Sequence, residues 1–161
     1  MIAWRGKDNQ ICKIFFGFTS GAISSGVREL IRFLVQHKLV QVIVTTAAAI
    51  EEDIMKCEDS HFLSNFREDD DLLREKGIVR RGNIITSQKG YCAFYEKMKP
   101  LLDNMLIKQE KEGINWSPST IADYWGKTVN NKSSFLFWCH KNNIPVYCPG
   151  FTDGALSLIH I

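Results

Sequence analysis

The sequence predicts an α/β fold in one domain, built on a doubly wound and mostly parallel β-sheet. Residues 12–18 and 40–46 have the length and the β-branched or aromatic composition of strands, and the segment between them is amphipathic with helical spacing. A strand, a helix and a second strand in this order form a parallel pair with a right-handed crossover in nearly all known proteins. Both strands are followed by small and hydroxyl-bearing residues, as is usual for βα turns.

Composition places the chain among globular proteins and excludes several classes of function. Its 161 residues are enough for one domain with a core, and 45% of them are hydrophobic while 24% are charged. No run of about 18 apolar residues occurs, so no membrane partner is predicted. The 20 basic and 18 acidic residues give a net charge of +2 and are mixed along the chain, so nucleic acid is not a predicted partner.

The five cysteines are widely spaced, odd in number and form no C-x-x-C motif. This pattern favours free thiols in a reducing compartment, and we predict a cytoplasmic location. The cysteines are interpreted as small apolar side chains in or near the core. Neither a metal site nor a catalytic thiol is therefore predicted.

Elements of the first half follow from the spacing of apolar residues. Residues 1–11 are polar without periodicity and are interpreted as a loop or a cut end. The near-continuous apolar character of residues 12–18 predicts a central strand covered on both faces. A helix is predicted over 24–37, capped by Ser24 or Ser25. Its predicted buried stripe is formed by Val27, Leu30, Ile31, Leu34 and Val35.

The second half is predicted to be mostly helical. Residues 57–82 are polar and charged, and we interpret them as a surface excursion with a short helix over 70–76, followed by a short strand over 82–86. The strand at 144–149 contains two prolines, which suits an edge or a strand end. The other predicted elements are a helix over 91–112 that Pro100 kinks or splits, a helix from Pro118 to about residue 126 with Ser117 as its cap, and a helix over 133–141.

Three loops that follow predicted strands carry small polar or acidic residues, at 19–24, 45–53 and 152–154. In an open α/β sheet, ligands bind in the crevice beyond the carboxyl ends of the strands, so the three loops are expected to converge. The turn around 17–26 leads from a strand into a helix start, which presents backbone N–H groups to an anion such as phosphate. It lacks the standard glycine patterns of nucleotide-binding loops, and an ordinary tight βα turn remains the alternative.

Acidic residues are the informative members of these loops. Glu51, Glu52 and Asp53 are consecutive, and a ligand-binding role competes with a structural one, in which acids stabilise the N-terminal turn of a helix. Asp153 has a similar alternative as a turn residue before Gly154. These alternatives stay open on the residues alone.

Longer motifs occur in an order and spacing that resemble the deoxyhypusine synthase family. The segments that carry the resemblance are 14–20, 23–29, 34–37, 44–47 with 51–53, and 143–146 with 152–154. The resemblance covers about residues 13–156, nearly the whole chain. It implies a Rossmann-like, doubly wound and mostly parallel sheet that is incomplete. Residues 1–161 would then form a single partial domain, the first part of the family's NAD-binding domain.

The resemblance also implies an activity and a set of binding residues. Members of this family use NAD to transfer the aminobutyl group of spermidine to one lysine of the translation initiation factor 5A precursor. They assemble as tetramers, so the full-length form is expected as a homotetramer or as a heterotetramer with a synthase subunit. Glu51 and Glu52 match the acidic pair that contacts spermidine. The positions that match NAD-contacting residues are Ser20, Gly21, Ala22, Ile23, Ser24, Thr46, Ala47, Ala48, Glu52 and Asp153.

The chain also departs from the family pattern. None of its lysines matches the motif of the catalytic lysine, which the resemblance places beyond the chain end. No catalytic residue is therefore assigned, and a fragment without turnover is expected. Residues 157–161 do not match the family, and Leu158 stands where a second spermidine-binding aspartate is expected. Gly21 replaces a residue that commonly has a side chain. Ala48-Ala49 replaces a common Gly-Gly pair, and the added methyl groups of the alanines are able to crowd a phosphate.

Two further interpretations remain open on the sequence. One is a non-catalytic paralogue that acts as a binding or regulatory subunit of a complete synthase, motivated by Leu158 and the missing lysine. The other is an unrelated NAD-binding module, because the order of strands and helices alone is common to many such proteins.

Overall fold

The computed structural model describes residues 12–154, and that range contains six strands and seven α-helices. The strands are β1 (Phe15–Gly17), β2 (Val42–Val44), β3 (Phe62–Leu63), β4 (Ile78–Arg81), β5 (Ile84–Ser87) and β6 (Val146–Tyr147). The helices are α1 (Ser20–Ser24), α2 (Val27–Gln36), α3 (Ala47–Glu58), α4 (Asp70–Glu75), α5 (Gln88–Glu112), α6 (Pro118–Val129) and α7 (Phe135–Asn142), and a 3₁₀ helix follows at Phe151–Asp153. The predictions for residues 1–11 and 157–161 fall outside the described residues.

The main sheet is three-stranded and parallel, with β2 between β1 and β6. Phe16 pairs with Ile43, and Ile43 pairs with Val146. Ile43 is fully buried, whereas Phe15 on β1 is 65% exposed. Because both strand pairs of this sheet are parallel, the predicted α/β fold with a parallel sheet is confirmed. The prediction that residues 12–18 form the central strand is wrong for the described part of the chain, because β2 has the neighbours on both sides.

β6 lies at the other edge of this sheet, as the prolines around it predicted. Pro145 needs no backbone N–H to take part in the ladder, because its carbonyl accepts a hydrogen bond from Ile43 N at 3.0 Å. Ile144 and Cys148, on either side of the strand, are both buried. The last strand is thus anchored in the core while its edge position tolerates proline.

A second, antiparallel sheet of β3, β5 and β4 lies partly in the stretch predicted to be a surface excursion. The short helix predicted over 70–76 is confirmed as α4, and the strand predicted over 82–86 is confirmed as β5. β3 and β4 are absent from the sequence-based prediction. β3 has only two residues and β4 ends in two arginines, so neither shows a clear alternation of apolar and polar side chains.

The helix predicted over 24–37 is confirmed as α2, and a further short helix, α1, lies in the segment predicted to be a loop. Ser25 ends α1 in an extended conformation, and Gly26, rather than a serine, is the N-cap of α2. The predicted buried stripe is partly wrong, since Val27 and Leu30 are 44% and 57% exposed. The buried residues of α2 are Arg28, Ile31 and Val35. A buried arginine takes a place that a hydrophobic pattern assigns to apolar residues.

α5 runs unbroken from Gln88 to Glu112, so Pro100 does not split it. Pro100 is exposed, whereas Met98 and Leu101 beside it are buried in the core. Apolar contacts on one side of the helix therefore hold it together across the hydrogen bond that proline removes. No helix within the described range is long and apolar enough to cross a bilayer.

α6 and α7 are confirmed, and they pack closely. Ser117 caps α6 as predicted, because its hydroxyl accepts a hydrogen bond from Thr120 N at 3.3 Å. Gly126 lies at the contact with α7, where a Cβ atom would overlap the carbonyl oxygen of Leu136. The close approach of the two helices thus requires glycine at this position.

Candidate active-site crevice

Thr45 fixes the carboxyl end of the parallel sheet. Its backbone N–H donates to Tyr147 O at 2.9 Å on β6, and its hydroxyl donates to Phe18 O at 2.8 Å just after β1. Thr45 is 4% exposed, so these hydrogen bonds are shielded from water. The ends of the three strands are thereby held together, and the segments that follow them share one edge of the sheet.

The first predicted binding loop, residues Ser20 to Ser24, forms the short helix α1 directly after β1. Ile23 is fully buried in the core, and Ala22 packs against the core while half-buried. Gly21 is exposed, and no atom lies within 4 Å of the place its Cβ would take. The start of α1 therefore faces open space beyond the strand end.

Lys56 on α3 fixes the other end of α1. Its ammonium group donates to the carbonyl oxygens of Ile23 at 2.8 Å, Ser24 at 2.9 Å and Ser25 at 3.2 Å. A cation at the carboxyl end of a helix satisfies free carbonyls and is favoured by the helix dipole. Burial lowers the pKa of Lys56, and the nearby Arg28 lowers it further.

The second predicted binding segment is the start of α3. Thr46 is its exposed N-cap and makes no side-chain capping bond, Ala47 is buried, and Ala48 is half-buried. The first turn carries no acidic residue, so the alternative in which the acids stabilise this turn is wrong. Ala49 is fully buried in the core, so its methyl group does not crowd the space at the sheet edge.

The three consecutive acids of α3 are buried and face three different parts of the molecule. Glu51, Glu52 and Asp53 are 3%, 2% and 0% exposed. Successive helical residues are rotated by about 100°, so the three side chains leave the helix in different directions. Burial of a carboxylate is costly unless the group is paired or hydrogen-bonded. Each acid therefore indicates a specific partner.

Asp53 has a structural role. It accepts hydrogen bonds from Arg28 Nε at 2.8 Å, from Ser134 Oγ at 2.5 Å, and from the backbone N–H groups of Phe135 and Leu136 at 3.2 Å each. Burial raises the pKa of Asp53, while Arg28, Ser134 and the Leu136 N–H act in the opposite direction. The donors belong to α2 and to the start of α7, so Asp53 joins three helices and is closed to a ligand.

Glu52 faces α1 and the second sheet. The Ser24 hydroxyl donates to Glu52 Oε2, and the Arg81 guanidinium on β4 forms an ion pair with Glu52 Oε1. Arg81 also donates from Nη2 to the Tyr91 hydroxyl at 2.5 Å. Ser24, a predicted NAD-contacting residue, and Glu52, a predicted spermidine-contacting residue, are thus in direct contact.

Glu51 faces the segment that follows β6. A Cβ atom at Gly154 would overlap the Glu51 carboxylate, so the Gly154 backbone lies directly against this acid. Asp153 precedes it in the 3₁₀ helix with an exposed side chain, and its N–H donates to Gly150 O at 3.1 Å. That turn agrees with the structural alternative for Asp153. The structure brings Gly154, rather than the Asp153 side chain, against Glu51.

We refer to the region defined by Ser24, Glu51, Glu52, Arg81 and Gly154 as the acidic crevice. Its two carboxylates belong to consecutive buried residues, and buried carboxylates bind ammonium groups by charge-assisted hydrogen bonds. The starts of α1 and α3 lie at the same sheet edge and present backbone N–H groups that favour an anion. In residues 12–154 no group of three or more His, Cys, Asp or Glu side chains is placed to hold a metal ion.

Sequence reasoning missed several residues of this region. Arg81 and Tyr91 reach the crevice from β4 and α5, and nothing in their local spacing marks them. Arg28 and Ser134 hold Asp53, but they lie 25 and 81 positions away from it along the chain. Arg28 was detectable from the sequence, because it lies on the otherwise apolar side of a helix. A charge buried there requires an acidic partner.

This arrangement defines the class of protein: an α/β protein whose ligand site lies at the carboxyl edge of a parallel sheet. Comparison with known proteins gives the family. A family model described as deoxyhypusine synthase matches residues 2–161. The chain therefore belongs to the deoxyhypusine synthase family, a family of transferases.

Individual relatives agree with this assignment. A deoxyhypusine synthase from Musa acuminata is 49% identical over 151 residues, which are 94% of this chain and 40% of that protein. Homospermidine synthase 2 from Senecio vernalis is 45% identical over 153 residues, which are 95% of this chain and 41% of that protein. The chain spans about 40% of the length of the curated relatives it matches.

A solved structure has the same fold. It is the crystal structure of an Entamoeba histolytica protein assigned as a deoxyhypusine synthase, with a TM-score of 0.66 and 30% sequence identity. The similarity covers 98% of this chain and 53% of that protein chain. The α/β fold predicted from the sequence is thus that of a known member of the family.

Proposed function

We propose that this chain is part of a deoxyhypusine synthase, which transfers the aminobutyl group of spermidine to one lysine of the translation initiation factor 5A precursor in an NAD-dependent reaction. The observation that supports it best is the pair of adjacent buried acids, Glu51 and Glu52, at 3% and 2% exposure. Spermidine is a polycation, and its ammonium groups match carboxylates in a water-poor crevice. Family membership supports the proposed reaction, and the two buried acids support a polyamine as its substrate.

The acids have a second role in the proposed reaction. Oxidation of a secondary amine builds positive charge on the nitrogen and the adjacent carbon, and carboxylates fixed beside them stabilise that charge. Glu52 is oriented by Ser24, and Glu51 is confined by the Gly154 backbone. Both groups are held in place before a substrate arrives, so little reorganisation is needed when charge develops.

The sheet edge also fits the proposed cofactor. Bound NAD supplies a hydride acceptor. The starts of α1 and α3 lack side-chain caps and carry no acid in their first turns, so their N–H groups suit a phosphate. Gly21 leaves open space beside the first of these turns. Residues Ser20, Ala22, Ile23, Ser24, Thr46, Ala47 and Ala48 are proposed to hold the cofactor, with Glu52 and Asp153 at its margin.

Other parts of the proposal concern the whole protein. We assign residues 1–161 to one partial domain, with a catalytic lysine that comes from sequence outside this chain. The active form is proposed to be a tetramer in the cytoplasm. The five free thiols of the chain suit a reducing compartment.

The experiment is an aminobutyl transfer assay. The product of the complete reading frame that contains this sequence is incubated with NAD, spermidine labelled in its aminobutyl group, and the initiation factor precursor. We expect label on one lysine of the precursor, and a Glu51→Gln variant is expected to lose most of the transfer. Unlabelled precursor together with intact spermidine would contradict the proposal. An increase in the activity of a second, complete synthase when this product is added to it would favour the subunit interpretation.

Homospermidine synthesis is a second candidate function, because the Senecio relative with that name is 45% identical over 95% of this chain. The same assay separates the two functions when putrescine is supplied as a second acceptor of the aminobutyl group and the labelled products are resolved. Label in free homospermidine, with none on the protein substrate, would favour this candidate. The acidic crevice suits either reaction, since both are proposed to begin with the binding of spermidine.

A further inference from the structure

Arg81 already occupies one of the two acids that we assign to spermidine. Its guanidinium forms an ion pair with Glu52 Oε1, and the Ser24 hydroxyl occupies Oε2. The carboxylate therefore accepts a hydrogen bond at Oε2, while Oε1 is paired with the guanidinium by charge alone. A cationic amine that binds to Glu52 must share or replace one of these contacts.

The two sides of the ion pair differ in exposure. The Glu52 side chain is 3% exposed, whereas the Arg81 side chain is 41% exposed. The carboxylate cannot turn to water, so it needs a cation in the crevice. The arginine can be solvated elsewhere at small cost, because it is already in contact with solvent. Arg81 is thus the partner that can leave.

Tyr91 provides a second contact for the arginine outside the carboxylate. Arg81 Nη2 donates to the Tyr91 hydroxyl at 2.5 Å, and the guanidinium carbon lies 5.8 Å from the centre of the Tyr91 ring. A cation at that distance from an aromatic ring is attracted to it. The guanidinium can therefore release Glu52 and remain at the mouth of the crevice against Tyr91.

We propose that Arg81 determines the affinity of the acidic crevice for polyamines: its guanidinium holds the Glu52 carboxylate and is displaced towards Tyr91 and solvent when an ammonium group of spermidine binds. This inference rests on the proposed function and deepens it. The arginine keeps Glu52 paired in the absence of substrate, and it lowers the net negative charge that an incoming cation meets. A polyamine has to compete with it, which weakens the binding of short or singly charged amines most.

The neighbouring Arg80 offers a matched control. It carries the same charge on the same strand, but it pairs with Asp70 Oδ1 at 2.7 Å and Asp70 Oδ2 at 2.8 Å, and it donates to Gly82 O at 2.8 Å. None of these groups belongs to the acidic crevice. Arg80→Gln therefore changes the overall charge as Arg81→Gln does, without freeing Glu52.

The test is calorimetric titration of spermidine into the product of the complete reading frame, with NADH saturating in place of NAD so that bound spermidine is not oxidised. Arg81→Gln is expected to bind spermidine about fivefold to tenfold more tightly than the parent, the range expected for release of one partly exposed ion pair. Arg81→Lys and Arg80→Gln are each expected to stay within about twofold, the first because it keeps the competing charge.

Four results would count against the proposal. The first is unchanged or weaker spermidine binding in Arg81→Gln, and the second is an equal gain of affinity in Arg80→Gln, which would indicate a general effect of charge. The third is a gain of affinity in Arg81→Lys as large as in Arg81→Gln. The fourth is an Arg81→Gln protein that fails to fold, which would make Arg81 a structural bridge. A parent protein that binds spermidine while Arg81→Gln shows no gain leaves the proposed function standing. A parent and variants that all fail to bind spermidine overturn the proposed function and this inference with it.

Discussion

Replacement of Asp53 by asparagine tests whether the buried network around this residue holds the helices together. The variant keeps the size of the side chain but removes the charge that faces Arg28, which is 5% exposed. It also places an amide N–H₂ group among donors, since Ser134 Oγ and the Leu136 N–H both point to Asp53 Oδ2. Loss of one partner of a buried ion pair costs about 3–5 kcal/mol, and we expect a decrease of that size in the free energy of unfolding.

Urea denaturation followed by circular dichroism measures this decrease as a shift of the midpoint at constant slope. The matched control is Asp71→Asn, because Asp71 pairs with Arg74 at 3.5 Å while their side chains are 89% and 81% exposed. That change is expected to cost less than about 0.5 kcal/mol, as is usual for surface pairs. An Asp53→Asn variant that loses no more than its control would refute the structural role of Asp53.

Three further changes test the fold. Gly126→Ala is expected to lower the free energy of unfolding in urea by about 1–3 kcal/mol, because the methyl group would overlap Leu136 O. Gly21→Ala, which has open space around it, is expected to lower it by less than about 1 kcal/mol. Equal losses would contradict the close packing of α6 on α7. Ser117→Ala removes the cap of α6 and should cost about 1 kcal/mol, and no loss would mean that the cap does not contribute. Burial lowers the pKa of His61, so between that lowered pKa and its ordinary value near 6.5 the folded chain binds fewer protons than the unfolded chain. The chain should therefore be less stable at pH 5.5 than at pH 7.5, and His61→Gln should reduce the difference; an unchanged difference would exclude His61 as its source.

The main sheet was predictable because its signals are local. β2 is a run of β-branched residues, and hydroxyl residues follow it, so both the strand and the helix start after it can be inferred from neighbouring positions. The position of β1 at an edge was not predictable in this way, because an apolar strand is equally suited to the centre of a sheet. Strand order depends on contacts between distant segments.

The short helix α1 and two strands of the second sheet were missed for different reasons. Lys56 ends α1 by binding three of its carbonyls from another helix, which no local pattern reveals. Val27 and Leu30 continue the apolar spacing, although both are exposed, so periodicity overestimated the buried stripe. β3 has only two residues and β4 ends in two arginines, and only their pairing with β5 makes them strands.

The sequence predicted the acids and the loops of the candidate site, but not the residues with which the acids pair. Glu51 and Glu52 were identified through the resemblance to the family, and the structure brings them against Gly154 and Ser24. Asp53 looks equivalent in the sequence, yet it points to another helix, because adjacent helical residues face different directions. Arg81 comes from a hairpin that the sequence leaves undefined, so its contact with Glu52 depends on tertiary structure alone.

The most direct measurement is spermidine binding, in the presence of NADH so that no oxidation follows, to variants of the acidic pair in the product of the complete reading frame. A charge-assisted hydrogen bond contributes about 1.5–3 kcal/mol, so Glu51→Gln and Glu52→Gln are each expected to weaken binding about 10-fold to 100-fold. Glu58→Gln, on the same helix but paired with Lys97 at its far end, is expected to bind as the parent does. A parent that binds spermidine, with both acid variants retaining its affinity, would contradict the account.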